Sequence, residues 1–206
     1  MSRNTQPNLP VYIVDDDDAV RESLAFQIEM AGYQTKTYVS GTDFLHDAPS
    51  LPAGCVILDV RMPELDGPEV QARLARMELR LPVIMITGHG DVPLAVRAMK
   101  AGAVDFVEKP FSEELILESI RSAHERITSL GADDQDRNEA ESRLAVLSPR
   151  ERAVLDCLVS GMPNKAVAYE LNISQRTVEV HRANIMLKTQ AKSLPELVRL
   201  ALLAKP

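Results

Sequence analysis

The chain has 206 residues, of which 45% are hydrophobic and 4% aromatic, and its formal net charge is −7. This length accommodates one large domain or two small ones with mainly aliphatic cores. The two cysteines, Cys55 and Cys157, lie far apart in the chain, which excludes a disulfide framework. No run reaches the ~20 apolar residues of a membrane helix, which excludes a membrane span. Both observations favour a cytoplasmic protein without a membrane partner.

The charge is distributed unevenly along the chain. Residues 1–126 carry 12 basic and 20 acidic groups, whereas residues 148–206 carry 9 basic and 5 acidic groups. An acidic first part and a basic last part predict two domains with different tasks, and the basic one can meet a phosphate backbone. We therefore expect a first domain over 1–126, a linker over 127–147 and a second domain over 148–206.

The first 130 residues alternate short apolar runs with amphipathic runs. The predicted strands are Val11–Val14, Thr35–Tyr38, Cys55–Leu58, Val83–Ile86 and Val104–Val107. The predicted helices cover about 18–31, 41–48, 66–77, 92–101 and 113–130. Strands that are almost continuously apolar indicate burial on both faces. Five successive strand–helix units predict a doubly wound α/β domain with a parallel sheet, in which ligands bind at the carboxyl ends of the strands.

The remainder of the chain predicts an all-α domain. Residues 127–147 have the polar composition of a solvated linker that is partly helical. Ser148 to Glu151 then forms a capping-box pattern with proline at the first helical position, and this helix is expected to end near Ser160. Three further helices are predicted over about 164–171, 174–188 and 193–203.

Three carboxylates follow strands at one predicted edge of the sheet. Asp15 and Asp16 come directly after the first strand, and Asp59 comes after the third. If these strands are neighbours, the three side chains repel each other unless a cation neutralises them. Oxygen ligands of this kind suit Mg²⁺, or Mn²⁺, with water completing the octahedron. The alternative is that Asp15 to Asp18 stabilise the start of the next helix, which is all that we expect of Asp17 and Asp18.

Two further strand ends complete the predicted site. Thr87 follows the fourth strand and Lys109 follows the fifth. A hydroxyl donor and an ammonium beside a metal ion can meet the charge of a transferring phosphoryl group. Asp59 can then attack phosphorus as a nucleophile and form an aspartyl phosphate.

These residues resemble the receiver motifs of response regulators. The resemblance is carried by Ile13-Val14-Asp15-Asp16, Leu58-Asp59-Val60-Arg61-Met62-Pro63, Ile86-Thr87-Gly88-His89-Gly90 and Glu108-Lys109-Pro110. It implies a flavodoxin-like (βα)5 fold with strand order 2-1-3-4-5 and a cis peptide bond between Lys109 and Pro110. It also implies that Asp59 is the phosphoacceptor and that the backbone carbonyl of Arg61 joins Asp15 and Asp16 as a metal ligand.

The resemblance also implies a switch. Phe106 occupies the family's switch-aromatic position, and a phosphate beside Thr87 can pull the threonine hydroxyl inward and leave space for an aromatic ring. The alternative for Phe106 is ordinary core packing, and both can hold. Phosphorylation would then shift a population between two states.

Residues 164–188 have the pattern of a helix-turn-helix. Val178 and Ile185 are expected to face inward on its second helix, which has the size to enter the major groove of DNA. The residues expected to meet phosphates are Lys165, Thr177, Arg182, Lys188 and Lys192, and those expected to reach base edges are Arg176, Glu179, Val180 and Ala183. The alternative is a small helical docking domain with a face of mixed charge.

This part of the chain is similar to the LuxR/NarL-type four-helix DNA-binding domain. The similarity is carried by Leu147-Ser148-Pro149-Arg150-Glu151-Arg152, Asn164-Lys165 and the run from Arg176 to Asn184. Together with the receiver motifs, it identifies the chain as similar to FixJ-type two-component response regulators. It implies a dimer contact on the fourth helix, through Leu194, Leu197, Val198 and Leu202, unless that stripe only covers the domain's own core. It also implies that phosphorylated receivers dimerise through residues 92–108.

The resemblance implies a phosphorylation-activated transcriptional regulator. Its expected partners are a FixL-like sensor histidine kinase, double-stranded promoter DNA, RNA polymerase and, when phosphorylated, a second copy of the chain. FixJ-type proteins typically control oxygen-responsive or nitrogen-fixation genes. We expect no enzyme activity beyond Mg²⁺-dependent self-phosphorylation and self-dephosphorylation of Asp59. The alternatives are a phosphatase, which lacks an acid/base carboxylate because Arg61 stands two residues after Asp59, and a protein-docking adaptor.

Overall fold

The computed structural model describes residues 9–77, 79, 81–88, 91–128 and 133–204. His89, which lies within one of the receiver motifs, is outside the described residues. The described residues form two compact units, one within 1–89 and 101–130 and the other within 90–100 and 131–206. No helix in the described parts of the chain combines the length and hydropathy needed to cross a bilayer.

The first unit contains a parallel sheet of five strands. The strands are β1 (Val11–Val14), β2 (Thr35–Tyr38), β3 (Cys55–Asp59), β4 (Val83–Thr87) and β5 (Asp105–Glu108). Their order is β2-β1-β3-β4-β5, which confirms the predicted flavodoxin-like topology. β3 and β4 each continue one residue past their apolar run, because the backbones of Asp59 and Thr87 still pair with the neighbouring strand.

The helices of the described residues follow in chain order. They are α1 (Asp18–Met30), α2 (Gly41–Asp47), α3 (Gly67–Arg76), α4 (Val92–Lys100), α5 (Glu113–Thr128), α6 (Asp133–Ala145), α7 (Pro149–Val159), α8 (Asn164–Glu170), α9 (Gln175–Thr189) and α10 (Leu194–Leu203), with a short 3-10 turn at Ala48–Ser50 after α2. Each predicted helix is present, and its observed bounds lie within two residues of the predicted ones, although residues 129 and 130, at the predicted end of the fifth helix, are outside the described residues. The peptide bond between Lys109 and Pro110 is cis, as the resemblance implied.

The core of the first unit is aliphatic, as the composition predicts. Ile13, Ile57 and Ile84 are fully buried on β1, β3 and β4, and Leu24 and Ile28 of α1 pack against the same cluster. Full burial of such a side chain contributes about 1.5–3 kcal/mol. The strands are therefore held rigidly, and their carboxyl ends have fixed positions relative to each other.

The segment predicted as a solvated linker contains α6. Ala140 and Leu144 of α6 are buried in the core of the second unit, together with Leu158 of α7, Ile185 of α9 and Leu197 of α10. The sequence predicts a partly helical linker, but its polar composition does not indicate that this helix packs into a core, since its contact residues are only two apolar side chains, four apart and therefore on one face. The second unit thus begins within the predicted linker.

Candidate functional site

The carboxyl ends of β1, β3 and β5 bring three charged side chains together. The Lys109 ammonium donates to Asp15 Oδ2 at 2.8 Å and to Asp59 Oδ1 at 2.6 Å. The two carboxylate side chains are only 1% and 9% exposed, and that of Lys109 is 22% exposed. Residues 44 to 94 positions apart along the chain thus meet at the edge where the sequence predicts the site.

Asp59 is surrounded by hydrogen-bond donors. Its second carboxylate oxygen accepts the backbone N–H of Arg61 at 2.7 Å, while the first accepts from Lys109. Burial raises the pKa of the Asp59 carboxyl above its ordinary value, although Lys109 and the Arg61 amide oppose this. Burial also disfavours the ammonium of Lys109, but its bonds to Asp15 and Asp59 raise the pKa of Lys109 overall. Lys109 and Asp59 are therefore a protonated lysine beside a poorly hydrated carboxylate.

Thr87 and Phe106 lie on the two strands beyond β3. Thr87 is 1% exposed, and its carbonyl accepts the backbone N–H of Lys109 at 2.7 Å. Phe106 is 8% exposed and pairs in register with Met85 of β4. The burial of the ring agrees with the alternative of core packing, and the switch role of Phe106 stays a prediction.

The remaining predicted ligands, Asp16 and Arg61, have exposed side chains next to the buried ones. Asp17 is the N-cap of α1, with its carboxylate accepting the N–H groups of Ala19 and Val20, as expected for it.

The donor set fits Mg²⁺, since it consists of carboxylate and carbonyl oxygens. Within the described part of the chain, no three acidic, histidine or cysteine side chains converge as a preformed metal site. The Lys109 ammonium lies between the two buried carboxylates and offsets one of their two negative charges. Asp15, Asp16, Asp59 and the Arg61 carbonyl are the groups that would hold the ion.

Arg21 is a site residue that the sequence analysis missed. Its guanidinium donates to the backbone carbonyl of Asp15 at 2.8 Å and forms an ion pair with Asp18. The side chain is 11% exposed. The spacing of Arg21 in the sequence could have indicated its burial. Arg21 lies three residues before Leu24 and seven before Ile28, which places all three on the buried face of α1.

We expect an Arg21→Met variant to lose about 1.5–3 kcal/mol of unfolding free energy, because a charged, buried hydrogen bond to Asp15 is removed. Urea unfolding followed by circular dichroism measures this. Arg73→Met is the matched control, since Arg73 is half exposed and forms an ion pair with Glu69 on the surface of α3. Equal stability losses in the two variants would contradict the role given to Arg21.

The second unit presents the predicted helix-turn-helix as α8, a turn and α9. Val178 and Ile185 of α9 are fully buried, as predicted. The exposed residues on the candidate DNA face are Lys165, Arg176, Glu179, Val180, Ala183, Lys188 and Lys192, and the half-buried ones are Thr177 and Arg182. The exposed face of α9 therefore combines the residues predicted to reach base edges.

Arg182 and Lys188, two side chains predicted to contact phosphates, have charged or polar partners on other helices of the unit. Arg182 Nη1 donates to Asn164 Oδ1 at 2.9 Å, and burial lowers the pKa of the Arg182 guanidinium. Lys188 Nζ donates to Glu151 Oε2 at 2.8 Å. Glu151 also closes the capping box with Ser148 at the start of α7, so one carboxylate joins α7 to α9.

Glu151→Gln should reduce the thermal stability of the chain at pH 6 but not at strongly acid pH. The bonds from Lys188 and Ser148 lower the pKa of Glu151 to about 2. Because the folded pKa lies below the ordinary value of about 4.3, this stabilisation is complete above that value and is lost as the pH falls toward 2. Calorimetry of both proteins from pH 6 to pH 2.5 measures the difference in Tm. A difference that does not depend on pH would contradict the assignment.

The predicted dimer stripe on α10 is largely buried within its own unit. Leu197 and Val198 are 1% and 0% exposed. Leu194 and Leu202 are partly buried and pack against the unit's core cluster. This agrees with the alternative that the stripe covers the core, and a dimer contact through α10 stays a prediction.

Comparison with known proteins extends over both units. The response regulator receiver domain family matches residues 11–121, and the luxR family of bacterial regulatory proteins matches residues 145–201. The transcriptional regulatory protein FixJ of Rhizobium meliloti (strain 1021) is 53% identical over 192 residues, which are 93% of this chain and 94% of that protein. FixJ of Azorhizobium caulinodans is 52% identical over 197 residues, with 96% and 93% covered. The solved full-length FixJ from B. japonicum is 47% identical, covers 95% of this chain and 96% of its own, and superposes with a TM-score of 0.58.

Proposed function

The chain belongs to the two-component response regulators that join a receiver domain to a LuxR-type DNA-binding domain, and on this premise we propose that Asp59 accepts the phosphoryl group that activates it. The observation that carries the proposal is the ammonium of Lys109, which lies 2.6 Å from Asp59 and 2.8 Å from Asp15. A buried carboxylate beside a fixed cation can attack phosphorus and have the developing charge stabilised.

In the proposed reaction, an Asp59 oxygen forms a bond to phosphorus and the bond from phosphorus to the donor breaks. The donor is the phosphohistidine of a sensor kinase or a small acyl phosphate, and its leaving group departs with the bonding electrons. Lys109 stabilises the charge on the phosphoryl oxygens, and Thr87 offers a hydroxyl donor to one of them. Mg²⁺, held by Asp15, Asp16, Asp59 and the Arg61 carbonyl, would neutralise the charge on the same oxygens.

Water can attack the aspartyl phosphate in turn, which makes the chain its own phosphatase. Turnover of an external substrate is not part of the proposal, because the residue two positions after Asp59 is an exposed arginine rather than a second carboxylate. The adaptor alternative is disfavoured by the match of the second unit to a DNA-binding family.

The output that we propose is promoter binding by a phosphorylated homodimer. The exposed face of α9, with Arg176, Glu179 and Val180, supports insertion into the major groove. A FixL-like kinase, contact with RNA polymerase, and control of oxygen-responsive or nitrogen-fixation genes are proposed from the similarity to proteins named FixJ.

Gel filtration and DNase footprinting with and without acetyl phosphate test the function. The full chain should shift from monomer to dimer and bind promoter DNA more tightly only when acetyl phosphate and Mg²⁺ are both present. Addition of EDTA should abolish both changes. An unchanged elution volume and footprint in the presence of both reagents would refute the proposal.

A further inference from the structure

We propose that Gly67 is a positioning residue of the phosphorylation site, whose missing side chain sets the place of the Asp59–Val60 peptide and of the Arg61 carbonyl that follows it. This inference rests on the proposed function, because it concerns the groups that would hold Mg²⁺. Gly67 itself contacts no reacting atom and acts through the backbone of β3 and its following loop.

The start of α3 lies directly against the end of β3. A Cβ atom added at Gly67 would come within 2.4 Å of the Asp59 carbonyl oxygen and 3.0 Å of the Val60 Cα. Both neighbours are backbone atoms, which cannot rotate away as the end of a flexible side chain can. Any side chain at position 67 therefore has to separate α3 from the phosphoacceptor strand.

The same contact closes the loop between β3 and α3. The Gly67 N–H donates to the Val60 carbonyl at 3.0 Å, and the Val60 N–H donates to the Ile86 carbonyl of β4 at 2.9 Å. The Arg61 N–H next to it donates to Asp59 Oδ2 at 2.7 Å. The N–H and the carbonyl of Val60 are thus both hydrogen-bonded, and the Gly67 N–H supplies one of these two bonds.

Backbone conformation does not explain a glycine at this position. Gly67 is the first residue of α3, and its φ lies outside the positive range in which glycine is favoured. Alanine is the better helix former, so helix propensity alone favours alanine here. The close approach to Asp59 and Val60 is the physical reason for glycine.

Gly54 provides a matched control at the other end of β3. It directly precedes β3, and a Cβ there would come within 2.4 Å of the Pro10 carbonyl oxygen, again a backbone atom. Gly54 and Gly67 therefore lie at opposite ends of β3, and an added Cβ would approach a backbone oxygen equally closely at both. Only Gly67 lies at the end that carries Asp59. Alanine at either position should disturb the fold similarly.

The test compares the full-length wild type, Gly67→Ala and Gly54→Ala by urea unfolding, by calorimetric titration with Mg²⁺ and by phosphorylation with acetyl phosphate. We expect Mg²⁺ affinity to fall on the order of tenfold or more in Gly67→Ala, as when partners behind a metal ligand are changed. Gly54→Ala should keep the wild-type affinity. The Mg²⁺ concentration that half-saturates phosphorylation should rise in Gly67→Ala alone.

Each outcome decides between the two proposals. If the wild type binds Mg²⁺ and is phosphorylated while both variants behave alike, the role of Gly67 is refuted and the proposed function stands. If the wild type neither binds Mg²⁺ nor accepts a phosphoryl group, the proposed function fails and the role of Gly67 fails with it.

A second measurement covers the case in which Gly67→Ala does not fold. In the NMR spectrum of the wild type, the Gly67 amide should exchange slowly with solvent, and its resonance should shift on addition of Mg²⁺, because its acceptor is the Val60 carbonyl. The Gly54 amide should not shift. A Gly67 amide that exchanges quickly, or that does not respond to Mg²⁺, would overturn the inference.

Discussion

An Asp59→Asn variant will take up no phosphoryl group from acetyl phosphate and will show no phosphodonor-dependent change in DNA binding. The amide oxygen is far less nucleophilic than a carboxylate, so the covalent step itself is lost. The fold should persist, because asparagine has the same shape and Lys109 keeps its bond to Asp15 at 2.8 Å. Intact-mass spectrometry after incubation with acetyl phosphate and Mg²⁺ measures the uptake.

Asp66→Asn is the control for this prediction. Asp66 is the N-cap of α3, where its side chain accepts the Glu69 N–H at 2.9 Å, and asparagine caps a helix equally well. This variant should be phosphorylated like the wild type. Phosphorylation of Asp59→Asn, or its loss in Asp66→Asn, would show that another residue is the acceptor.

Lys109→Met should destabilise the first unit by about 3–5 kcal/mol at neutral pH, because it leaves buried carboxylates facing each other without their cation. Asp15 and Asp59 are 1% and 9% exposed, so few water molecules can reach them in place of the ammonium. Phosphorylation should be lost as well, since the charge of the transferring group is no longer met. Urea unfolding at pH 7.5 and pH 4.5 and the phosphorylation assay measure the two effects.

The pH dependence of the Lys109→Met deficit has a definite sign. Burial already raises the pKa of Asp59 in the folded protein, and Lys109→Met removes the ammonium that opposes this, while the Arg61 amide remains. A carboxyl whose folded pKa exceeds its unfolded value destabilises above the folded pKa, and this loss fades as the pH falls toward the unfolded value of about 3.9. The deficit should therefore be smaller at pH 4.5 than at pH 7.5.

Lys36→Met is the matched control for the lysine. Lys36 Nζ also lies 2.8 Å from an aspartate oxygen, that of Asp47, but both side chains are substantially exposed. Because surface ion pairs contribute little, the stability of this variant should hardly change. If both lysine variants lost the same stability, burial of the Asp15–Lys109–Asp59 group would not be the cause.

The position of the site could largely be predicted, because the carboxyl ends of the strands in a parallel sheet can be recognised in the sequence. Short apolar runs located the strands, and the first polar residue after three of the runs gave Asp15, Asp59 and Thr87, whereas Lys109 is the second residue after the fifth run, behind Glu108. The structure brings Asp15, Asp59 and Lys109 into direct contact because β1, β3 and β5 end at one edge. Arg21 could not be found this way, since a charged residue on a helix normally lies in solvent.

The succession of strands and helices along the chain, the capping box of α7 and the chemical character of the site could all be predicted from the residue pattern alone. These features depend on apolar periodicity and on contacts between residues close in the sequence, so the sequence contains the information directly. The residues that support the site, such as Arg21 beneath Asp15 and Gly67 against Asp59, and the packing of α6 into the second core became evident from the three-dimensional arrangement. Those roles arise from close approach between surfaces of separate elements, and close approach depends on packing in three dimensions, which no local pattern encodes.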